Sequence, residues 1–307
     1  MKSRMLSSGS SRYMMSYARN FKLKGLIKRA LAEDIGKGDI TNSLLFTGKK
    51  KVRAVILAGE SGVVCGIGVA SMVFKLKDRQ VKFKALVKDG QRIKNGQVLA
   101  RIYGRASSIL SSERVALNFL GLLSGIATRS AEFVNKVRKS NVKIMDTRKT
   151  IPGLRQLQKY AVSVGGGHNH RFRLDEMVLV KDNHLAALGF APQPLCVKSI
   201  IKGIKEKKPS GVKLEVEVKN LKEFRQALKA GPDIIMFDNM KTGDIRKAVT
   251  IARETEGIKH KMKFEASGNI NLKNIRAFAQ TGVDIISLGV LTKEIRCIDF
   301  SLEIKGG

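Results

Sequence analysis

The fold is decided by residues 212–239, "VKLEVEVKNLKEFRQALKAGPDIIMFDN". Two short apolar runs, "VKLEVEV" and "DIIMFDN", flank a stretch with apolar residues at helical spacing that ends at Gly231. A strand, a helix and a second strand in this order form a βαβ unit, in which the two strands lie parallel. The stretch therefore predicts a parallel sheet covered by helices.

The same alternation begins at residue 142 and continues to residue 289. The other apolar runs are "VKIMDT", "EMVLVKDN", "MKFEAS" and "VDIISLG", and further helical stretches are "TGDIRKAVTIARETEG" and "LKNIRAFAQTG". The six strands are accompanied by no GxGxxG motif, which would indicate a nucleotide-binding open sheet. The pattern therefore predicts a closed α/β barrel.

The region before the barrel, residues 23–140, has a mixed pattern. "LKGLIKRALAEDIG" predicts a helix with a glycine stop, and "KVRAVILAGESGVVCGIG" and "VKFKALVKDGQRIKNGQVLARIYG" alternate as strands do between glycine turns. "SSERVALNFLGLLSGIATRSAEFVNKVRKS" predicts a long helix, whose serines and early glutamate would cap its start. This region therefore predicts a separate α/β domain.

The formal net charge is +32, which suits nucleic acid, an anionic membrane or small polyanionic substrates. The lysines are spread along the whole chain, and the longest basic run is "KKKVR" at 49–53. Aromatic residues, which stack on bases, are few and are not interleaved with the basic ones. A nucleic-acid partner is therefore not favoured.

Cellular location is indicated by cysteine spacing and by the first residues. Cys65, Cys196 and Cys297 lie far apart, which predicts a reducing compartment, the cytoplasm, without disulfides. No apolar run approaches a membrane span, so no membrane partner is expected. Residues 1–22 are Ser-rich and basic, which predicts a disordered tail and leaves an organelle transit peptide as the alternative. Removing residues 1–14 is expected to leave stability and activity unchanged.

Polar residues end all six predicted strands. Because α/β barrels place their active sites at the C-terminal ends of their strands, these residues predict the position of the site. In chain order they are Asp146-Thr147-Arg148-Lys149, Lys181-Asp182-Asn183, Glu217, Asp238-Asn239, Ser267-Gly268 and Ser287-Leu288-Gly289.

The stretch "VGGGHNHRFR" at 164–173 leaves three interpretations open. His168 and His170 could bind zinc with His184 as a third ligand. They could instead be structural histidines that bond to the backbone. The third interpretation is recognition of a multiply charged anion, since guanidinium and imidazole groups match carboxylates. The neighbouring cations favour this last one, namely Arg148, Lys149, Arg171 and Lys181.

Two carboxylates, Glu217 and Asp238, stand on adjacent predicted strands within this basic surrounding. They suit Mg²⁺ with a phosphorylated ligand, or stabilisation of a developing cation, unless they only pair with Arg and Lys. Small residues after the last two strands would let backbone N–H groups approach phosphate oxygens. The residues thus predict a barrel enzyme that acts on anionic substrates, one of them phosphorylated.

The chain closely resembles the quinolinate phosphoribosyltransferases, also called nicotinate-nucleotide pyrophosphorylases (carboxylating). The resemblance covers about residues 25–303. The motifs that carry it are "AEDIGKGDIT", "SERVALNFLGLLSGIAT", "DTRKTIPGLRQLQKYAVSVGGGHNHR", "VLVKDNH", "EVEV", "DIIMFDNM", "EASGNI" and "TGVDIISLGVLT".

The resemblance implies a reaction and an architecture. Quinolinate and phosphoribosyl pyrophosphate would give nicotinate mononucleotide, pyrophosphate and CO₂ with Mg²⁺, in the de novo biosynthesis of NAD. An N-terminal open-faced α/β sandwich would span 23–125 with the return of 293–307. An incomplete six-strand TIM-like barrel would span 126–292. The chain would assemble as a homodimer, or as a hexamer built as a trimer of dimers.

The resemblance also implies residue roles. The cations that would bind quinolinate are Arg114, Arg148, His170, Arg171 and Lys181. Lys149 would contact phosphoribosyl pyrophosphate, and Glu217 and Asp238 would face the ribose and hold the metal, directly or through water. The remaining substrate contacts, including the phosphate cradle, would come from Thr147, Ser267, Gly268, Asn269, Ser287, Leu288 and Gly289. The three glycines at 165–167 would let the loop close on the substrate.

Two positions depart from the family pattern. Asn269 stands where the family reads a second glycine, and Asn tolerates unusual backbone angles better than most residues. Lys293-Glu294 stand where it reads "HS", and Lys can still contact phosphate. Two alternatives to this activity remain open, a paralogue of the same fold that uses another base and a nucleic-acid-binding protein.

Overall fold

The computed structural model describes residues 21–46, 50–189, 197–255 and 262–305. Cys196 and the first twenty residues of the predicted tail lie outside the described residues. The helices are α1 Phe21–Ile35, α2 Ile40–Leu45, α3 Ile67–Lys77, α4 Ala106–Lys136, α5 Arg155–Val164, α6 Asp182–Ala187, α7 Val197–Lys207, α8 Leu221–Ala230, α9 Thr242–Glu254, α10 Ile275–Ala279 and α11 Val290–Lys293. The strands are β1 Lys51–Ala58, β2 Gly62–Val63, β3 Lys82–Ala85, β4 Arg92–Ile93, β5 Val98–Arg105, β6 Lys143–Met145, β7 Met177–Val180, β8 Lys213–Val218, β9 Ile234–Asp238, β10 Lys263–Ser267, β11 Ile285–Ser287 and β12 Phe300–Lys305.

The chain divides into two compact units. The first comprises 1–131, 157–166 and 294–307, and the second comprises 132–156 and 167–293. The first unit has a four-stranded sheet in the order β12-β1-β5-β3, with antiparallel pairing between neighbours. The C-terminal strand thus returns to the N-terminal sheet. The domain boundaries drawn from the sequence remain a prediction.

Two helix starts differ from the sequence-based expectation. Helix α1 begins at Phe21, inside the segment 1–22 that was expected to be disordered. The expected serine cap of the long helix is wrong, because α4 starts at Ala106, directly after β5 ends, and Ser112 lies well inside it. Ser112 Oγ instead donates to the carbonyl of Ser108 at 2.6 Å, a bond back to the preceding turn. The predicted glycine stop of α1 is confirmed, since Gly36 follows it with φ +58.

One helix, α4, is long and apolar enough to cross a membrane by length and composition alone. Of its most apolar 18-residue window, 72% is buried inside the protein. Packing therefore explains its apolar composition, as it does for a core helix of a soluble protein. The expectation of no membrane partner stays a prediction.

The second unit contains the predicted six-stranded parallel sheet, in the order β6-β11-β10-β9-β8-β7. Strand β6, the first of this sheet in the chain, pairs with β11, the last one. Strands β7 to β11 pair with each other in chain order, and the whole order is that of a barrel. No pairing joins β6 to β7 within the part of the chain that the structure describes, so complete closure stays a prediction. His168 bridges to Met145 of β6 instead and occupies the unpaired edge of that strand. The incomplete barrel implied by the family resemblance fits this order.

Alternation along the strands divides the barrel interior into layers, because every second residue of a strand faces the same side. We name three layers by position along β7 to β10, taking the first, third and fifth residues counted from the start of each strand. The floor layer is Met177, Lys213, Ile234 and Lys263; the middle layer is Leu179, Glu215, Met236 and Glu265; and the rim layer, at the C-terminal ends, is Lys181, Glu217, Asp238 and Ser267.

Candidate active site

A cavity of about 540 Å³ opens at the C-terminal ends of the barrel strands. The rim layer lines it, as expected for an α/β barrel. Ten residues predicted from the sequence to bind substrate line this cavity together: Thr147, Arg148, Lys149, His170, Arg171, Lys181, Glu217, Asp238, Ser267 and Ser287.

The two rim carboxylates have different partners. Glu217 Oε1 contacts the amine of Lys181, which follows the neighbouring strand β7. Burial raises the pKa of Glu217, while Lys181 acts in the opposite direction and Asp238 adds to the rise. Asp238 Oδ1 accepts a hydrogen bond from Asn239 Nδ2 at 2.9 Å. Both acids thus face one cavity from adjacent strands, as the sequence predicted.

Arg171 is held by a backbone carbonyl and lies close to other charged groups of the cavity. Arg171 Nη1 donates to the carbonyl of Met177 at 2.7 Å. Burial and the charge of Arg148 lower the pKa of Arg171, and the charges of Glu215 and Glu217 oppose that change. The cavity therefore holds closely spaced positive charges that an anionic ligand would neutralise.

Lys149 lies where the backbone leaves room for its stem. A Cβ at Gly289 would lie 3.1 Å from Lys149 Cδ, so a larger residue at Gly289 would crowd this side chain. Lys149 N donates to Thr147 Oγ1 at 3.1 Å, and the carbonyl of Lys149 accepts from Thr292 Oγ1 at 2.7 Å. The strand-end turn after β6 is therefore fixed against helix α11, which follows β11.

Residues after β10 adopt the left-handed backbone that their types predicted. Gly268 has φ +90 and Asn269 has φ +50, and Asn239 beside them has φ +54. A Cβ at Gly268 would lie 2.2 Å from Asn239 Oδ1, so only glycine fits there. Asn269 Nδ2 donates to Asn239 Oδ1 at 2.9 Å. Where the family has a flexible glycine, this chain thus has a side-chain hydrogen bond.

The residues after β11 divide into two groups. Ser287 Oγ is buried and has no hydrogen-bond partner among the described residues, as expected of a hydroxyl that awaits a ligand. The N–H of Leu288, in contrast, already donates to the carbonyl of Met145 at 2.9 Å. Leu288 is also almost fully buried. The expectation that this N–H faces a phosphate therefore has no support in the structure, because the adjoining strand uses it.

The glycines at 165–167 have local structural reasons. A Cβ at Gly165 would lie 2.3 Å from the carbonyl oxygen of Ala127, so this glycine allows close packing. Gly166 follows α5 with φ +90 and donates to the carbonyl of Ser163, which is a common helix C-terminus. Packing and helix termination thus account for these two glycines without a loop that closes on substrate.

The zinc interpretation of His168 and His170 fails in the described residues. His168 is exposed and its backbone pairs with β6, and His184 Nδ1 accepts from the N–H of Lys181. The one group of side chains there with metal-ligand spacing is His170 with Glu215 and Glu265. Sequence reasoning missed both acids, although Glu215 stands two residues from Glu217 and therefore faces the same interior.

His170 lies inside the barrel between these two acids of the middle layer. Its Nε2 lies 3.1 Å from Glu215 Oε2 and 3.6 Å from Glu265 Oε2. Burial lowers the pKa of His170, and both carboxylates act in the opposite direction and outweigh burial. Burial and the charge of Glu265 raise the pKa of Glu215. The two acids therefore favour a proton on Nε2, the ring nitrogen that faces them.

Arg114 belongs to the first unit. It lies on α4 and is exposed. Burial raises the pKa of the neighbouring Glu113 and the charge of Arg114 opposes that rise, so an arginine that only interacts with Glu113 stays an alternative. Its predicted role in quinolinate binding remains a prediction.

Comparison with known proteins identifies the family. The sequence model "Quinolinate phosphoribosyl transferase, N-terminal domain" matches residues 39–124, and the corresponding "C-terminal domain" model matches residues 126–303. A probable nicotinate-nucleotide pyrophosphorylase (carboxylating) of Bacillus subtilis is 39% identical over 93% of this chain and 94% of its own length. A protein of the same name from Methanocaldococcus jannaschii is 43% identical over 91% and 96%.

The structural comparison agrees. The crystallised nicotinate-nucleotide pyrophosphorylase of Francisella tularensis superimposes with a TM-score of 0.83 at 39% identity, covering 92% of this chain and 96% of that one. Similarity therefore extends over both units. By sequence motifs, family models and fold together, the chain belongs to the quinolinate phosphoribosyltransferase family.

Proposed function

We propose that this protein transfers the phosphoribosyl group of phosphoribosyl pyrophosphate to quinolinate, releasing pyrophosphate and CO₂ and giving nicotinate mononucleotide. The reaction belongs to the de novo biosynthesis of NAD. It is the activity in the names of relatives that are 38–43% identical to this chain. The observation that carries the proposal is a single cavity lined by four cations and two carboxylates, namely Arg148, Lys149, Arg171, Lys181, Glu217 and Asp238.

The cations account for a dicarboxylate substrate. Arg148, Arg171 and Lys181 line one cavity, which is more positive charge than a single carboxylate needs. A guanidinium binds a carboxylate through two parallel hydrogen bonds, so arginines also orient the pyridine ring. The ring nitrogen of quinolinate would thereby face the ribose carbon that it attacks.

The rim acids account for the transfer. The bond from ribose C1 to pyrophosphate breaks with its electron pair leaving on oxygen, so positive charge develops on the ribose before the pyridine nitrogen bonds to it. Glu217 and Asp238 supply fixed negative charge at this place, which stabilises the transition state more than the substrate. Because they stand on adjacent strands of a rigid sheet, they need little rearrangement.

Loss of CO₂ then follows from the charge on the ring. The carboxylate beside the ring nitrogen leaves as CO₂, and its bonding pair stays on the ring carbon until a proton from water takes it up. The pyridinium nitrogen and the nearby guanidinium groups stabilise that pair. The chain thus contributes mainly binding, orientation and electrostatic stabilisation.

Mg²⁺ is part of the proposal. Carboxylate oxygens are the ligands that Mg²⁺ prefers, and two of them, on Glu217 and Asp238, line one cavity. When bound through these residues, directly or through water, the ion would neutralise charge on the departing pyrophosphate. Lys149 and the orphaned hydroxyl of Ser287 lie on the same cavity and would hold phosphate oxygens.

Assembly and location complete the proposal. We infer a homodimer, or a trimer of dimers, in which Arg114 reaches the quinolinate site of the neighbouring subunit. Its exposure on α4 leaves the guanidinium available for this contact. Free Cys65 and Cys297 suit the reducing cytoplasm.

One assay tests the activity. Purified protein with quinolinate, phosphoribosyl pyrophosphate and Mg²⁺ should yield nicotinate mononucleotide, identified by its mass, and chelation of Mg²⁺ with EDTA should abolish the product. Nicotinate in place of quinolinate is the matched control, because it lacks the second carboxylate. Turnover of nicotinate at an equal rate would refute the dicarboxylate interpretation.

A further inference from the structure

The middle layer of the barrel contains two carboxylates that the proposed reaction does not use. Glu215 and Glu265 stand on β8 and β10, and both are fully buried. None of their four carboxylate oxygens has a hydrogen-bond partner among the described residues by strict geometry. Burying such groups is unfavourable unless a partner compensates for lost hydration. The close imidazole of His170 is that partner.

The protons of His170 can be placed from its neighbours. The backbone N–H of Arg171 donates to His170 Nδ1 at 2.9 Å, so this nitrogen offers a lone pair. The ring proton therefore lies on Nε2, the nitrogen that faces Glu215 and Glu265. Both ring nitrogens thus point at groups of the protein.

This arrangement argues against a metal ion in the cluster. A histidine that binds a metal through one nitrogen normally donates the proton on its other nitrogen to an acceptor. His170 has the opposite pattern, since Nδ1 accepts and Nε2 carries the proton toward the acids. The three side chains therefore form a cluster of their own, in which Nε2 of His170 contacts both acids.

The cluster holds the segment that occupies the unpaired edge of β6. Asp146, which follows β6 and is fully buried, accepts from the N–H of His170 at 2.9 Å and from Asn169 Nδ2 at 2.5 Å. His168 exchanges backbone hydrogen bonds with this strand end. The backbone of residues 168–170 is thus bonded to the end of β6. The ring of His170 contacts the acids inside the barrel.

Arg171 gains its position from this anchorage. Its N–H is the donor to His170 Nδ1, and its guanidinium reaches the carbonyl of Met177 at the start of β7. Arg171 therefore lies between β6 and β7, which do not pair with each other, and it also lines the cavity at the rim. A shift of His170 would move the backbone from which Arg171 extends.

We propose that Glu215 and Glu265 are positioning residues for quinolinate, which hold His170 from inside the barrel and so fix Arg171 in the substrate cavity. The inference rests on the proposed function for its ligand. In this proposal the ring of His170 contacts other residues of the protein, and Arg171 makes the direct contact with the substrate carboxylate.

Replacing each acid by leucine separates positioning from stability. Because two acids share one imidazole, replacing one of them removes the repulsion between the carboxylates and leaves the other acid paired with His170, so that no buried charge loses its partner. Glu215→Leu and Glu265→Leu should therefore keep their melting temperatures but raise KM for quinolinate about tenfold, as loss of a charge-assisted hydrogen bond implies. KM for phosphoribosyl pyrophosphate should stay within about twofold in either variant, because the phosphate side of the cavity is untouched.

Two further variants calibrate this result. Glu215→Gln and Glu265→Gln keep an acceptor for the imidazole N–H and should restore most of the quinolinate affinity. Asp284→Asn is the matched control, since Asp284 binds Lys263 and the N–H of Phe264 at the floor end of the barrel. It should leave both KM values unchanged. Leucine variants with wild-type KM for quinolinate, or with both KM values raised equally, would overturn the proposal.

A second measurement requires no substrate. Hydrogen exchange of the His170 and Arg171 amides should become faster in the leucine variants and stay unchanged in Asp284→Asn. Unchanged exchange in the leucine variants would overturn the proposal. This outcome still applies if a leucine variant is too unstable for kinetic assays and KM can be measured only for the Gln variants. If the wild-type protein did not convert quinolinate, the proposed function would fail while this exchange test would still decide the anchorage of His170.

Discussion

The rim layer and the middle layer of the barrel differ by two residues along each strand, yet they carry different kinds of polar group. The rim is open to the cavity, and its acids Glu217 and Asp238 are partly exposed. The middle layer places Glu215 and Glu265 at zero exposure, in the same layer as Leu179 and Met236. Rim groups can therefore meet a ligand directly, whereas the two middle-layer acids have no exposed surface and contact His170, although Glu265 borders the same cavity.

The largest effect should come from the rim acids. Asp238→Asn and Glu217→Gln keep the side-chain shape but remove the charge that faces the ribose. We expect kcat to fall by about 100-fold or more, as for other groups that stabilise charge in the transition state. Quinolinate binding, measured by calorimetry, should change little in Asp238→Asn. If both variants lost only quinolinate affinity, the division of the rim into ribose and quinolinate sides would be wrong.

The next effect tests whether the rim of one subunit is complete by itself. Arg114→Ala and Lys149→Ala should each be inactive alone. If Arg114 acts in the neighbouring subunit's site, a mixed dimer has one site with both defects and one intact site. Equal mixing with free exchange of subunits should then restore about a quarter of wild-type activity. Inactivity after exchange has been demonstrated by mass would show that Arg114 acts within its own subunit.

A smaller effect should come from the backbone of the rim. Gly268→Ala places a Cβ at φ +90 and within 2.2 Å of Asn239 Oδ1. We expect a loss of about 1–3 kcal/mol in unfolding free energy, together with a higher KM for phosphoribosyl pyrophosphate. Asn269→Gly, which removes only the contact with Asn239, is the matched control and should cost less. Equal losses in denaturant titrations would mean that Gly268 is not required by its conformation.

The comparison of layers also explains how far the sequence could be interpreted. Glu217 and Asp238 were found because they stand at the ends of apolar runs, and strand ends meet at one edge of a parallel sheet. The fold class followed in the same way from βαβ alternation. Such local signals report where a strand ends and which side each residue faces.

The remaining features depend on pairing between distant segments. Glu265 lies 95 positions after His170 by their numbers in the chain, and no periodicity indicates that their side chains meet. The unpaired edge between β6 and β7 is similarly invisible, because both strands have ordinary apolar runs. The N–H of Leu288 was expected to face a phosphate because sequence does not reveal that Met145 accepts it. Alternation did offer one unused signal, since Glu215 and Glu217 must face the same side.

The floor end of the barrel should show the smallest effect on function. The same pair of hydrogen bonds occurs twice there, at the aspartates of "PDII" and "VDII". Asp233 donates its N–H to the carbonyl of Leu214 and accepts from the N–H of Leu214 at 2.7 Å. Asp284 forms the same pair with Phe264, at 2.9 Å and 3.0 Å. Each aspartate thus fastens the start of its own strand to a neighbouring one.

We expect Asp233→Ala and Asp284→Ala each to lower the unfolding free energy by about 1 kcal/mol, the usual contribution of one hydrogen bond. Lys263 contacts both aspartates, through its N–H to the carbonyl of Asp233 and through its amine to Asp284. The two replaced carboxylates nevertheless accept from different backbone N–H groups, so the double variant should lose about the sum of both. Both KM values and kcat should equal those of the wild type, since these residues lie at the opposite end of the strands from the rim. Urea titration gives the first quantity and steady-state kinetics the second. A fall in kcat without loss of stability would mean that the floor takes part in catalysis and that the distinction between the layers is too sharp.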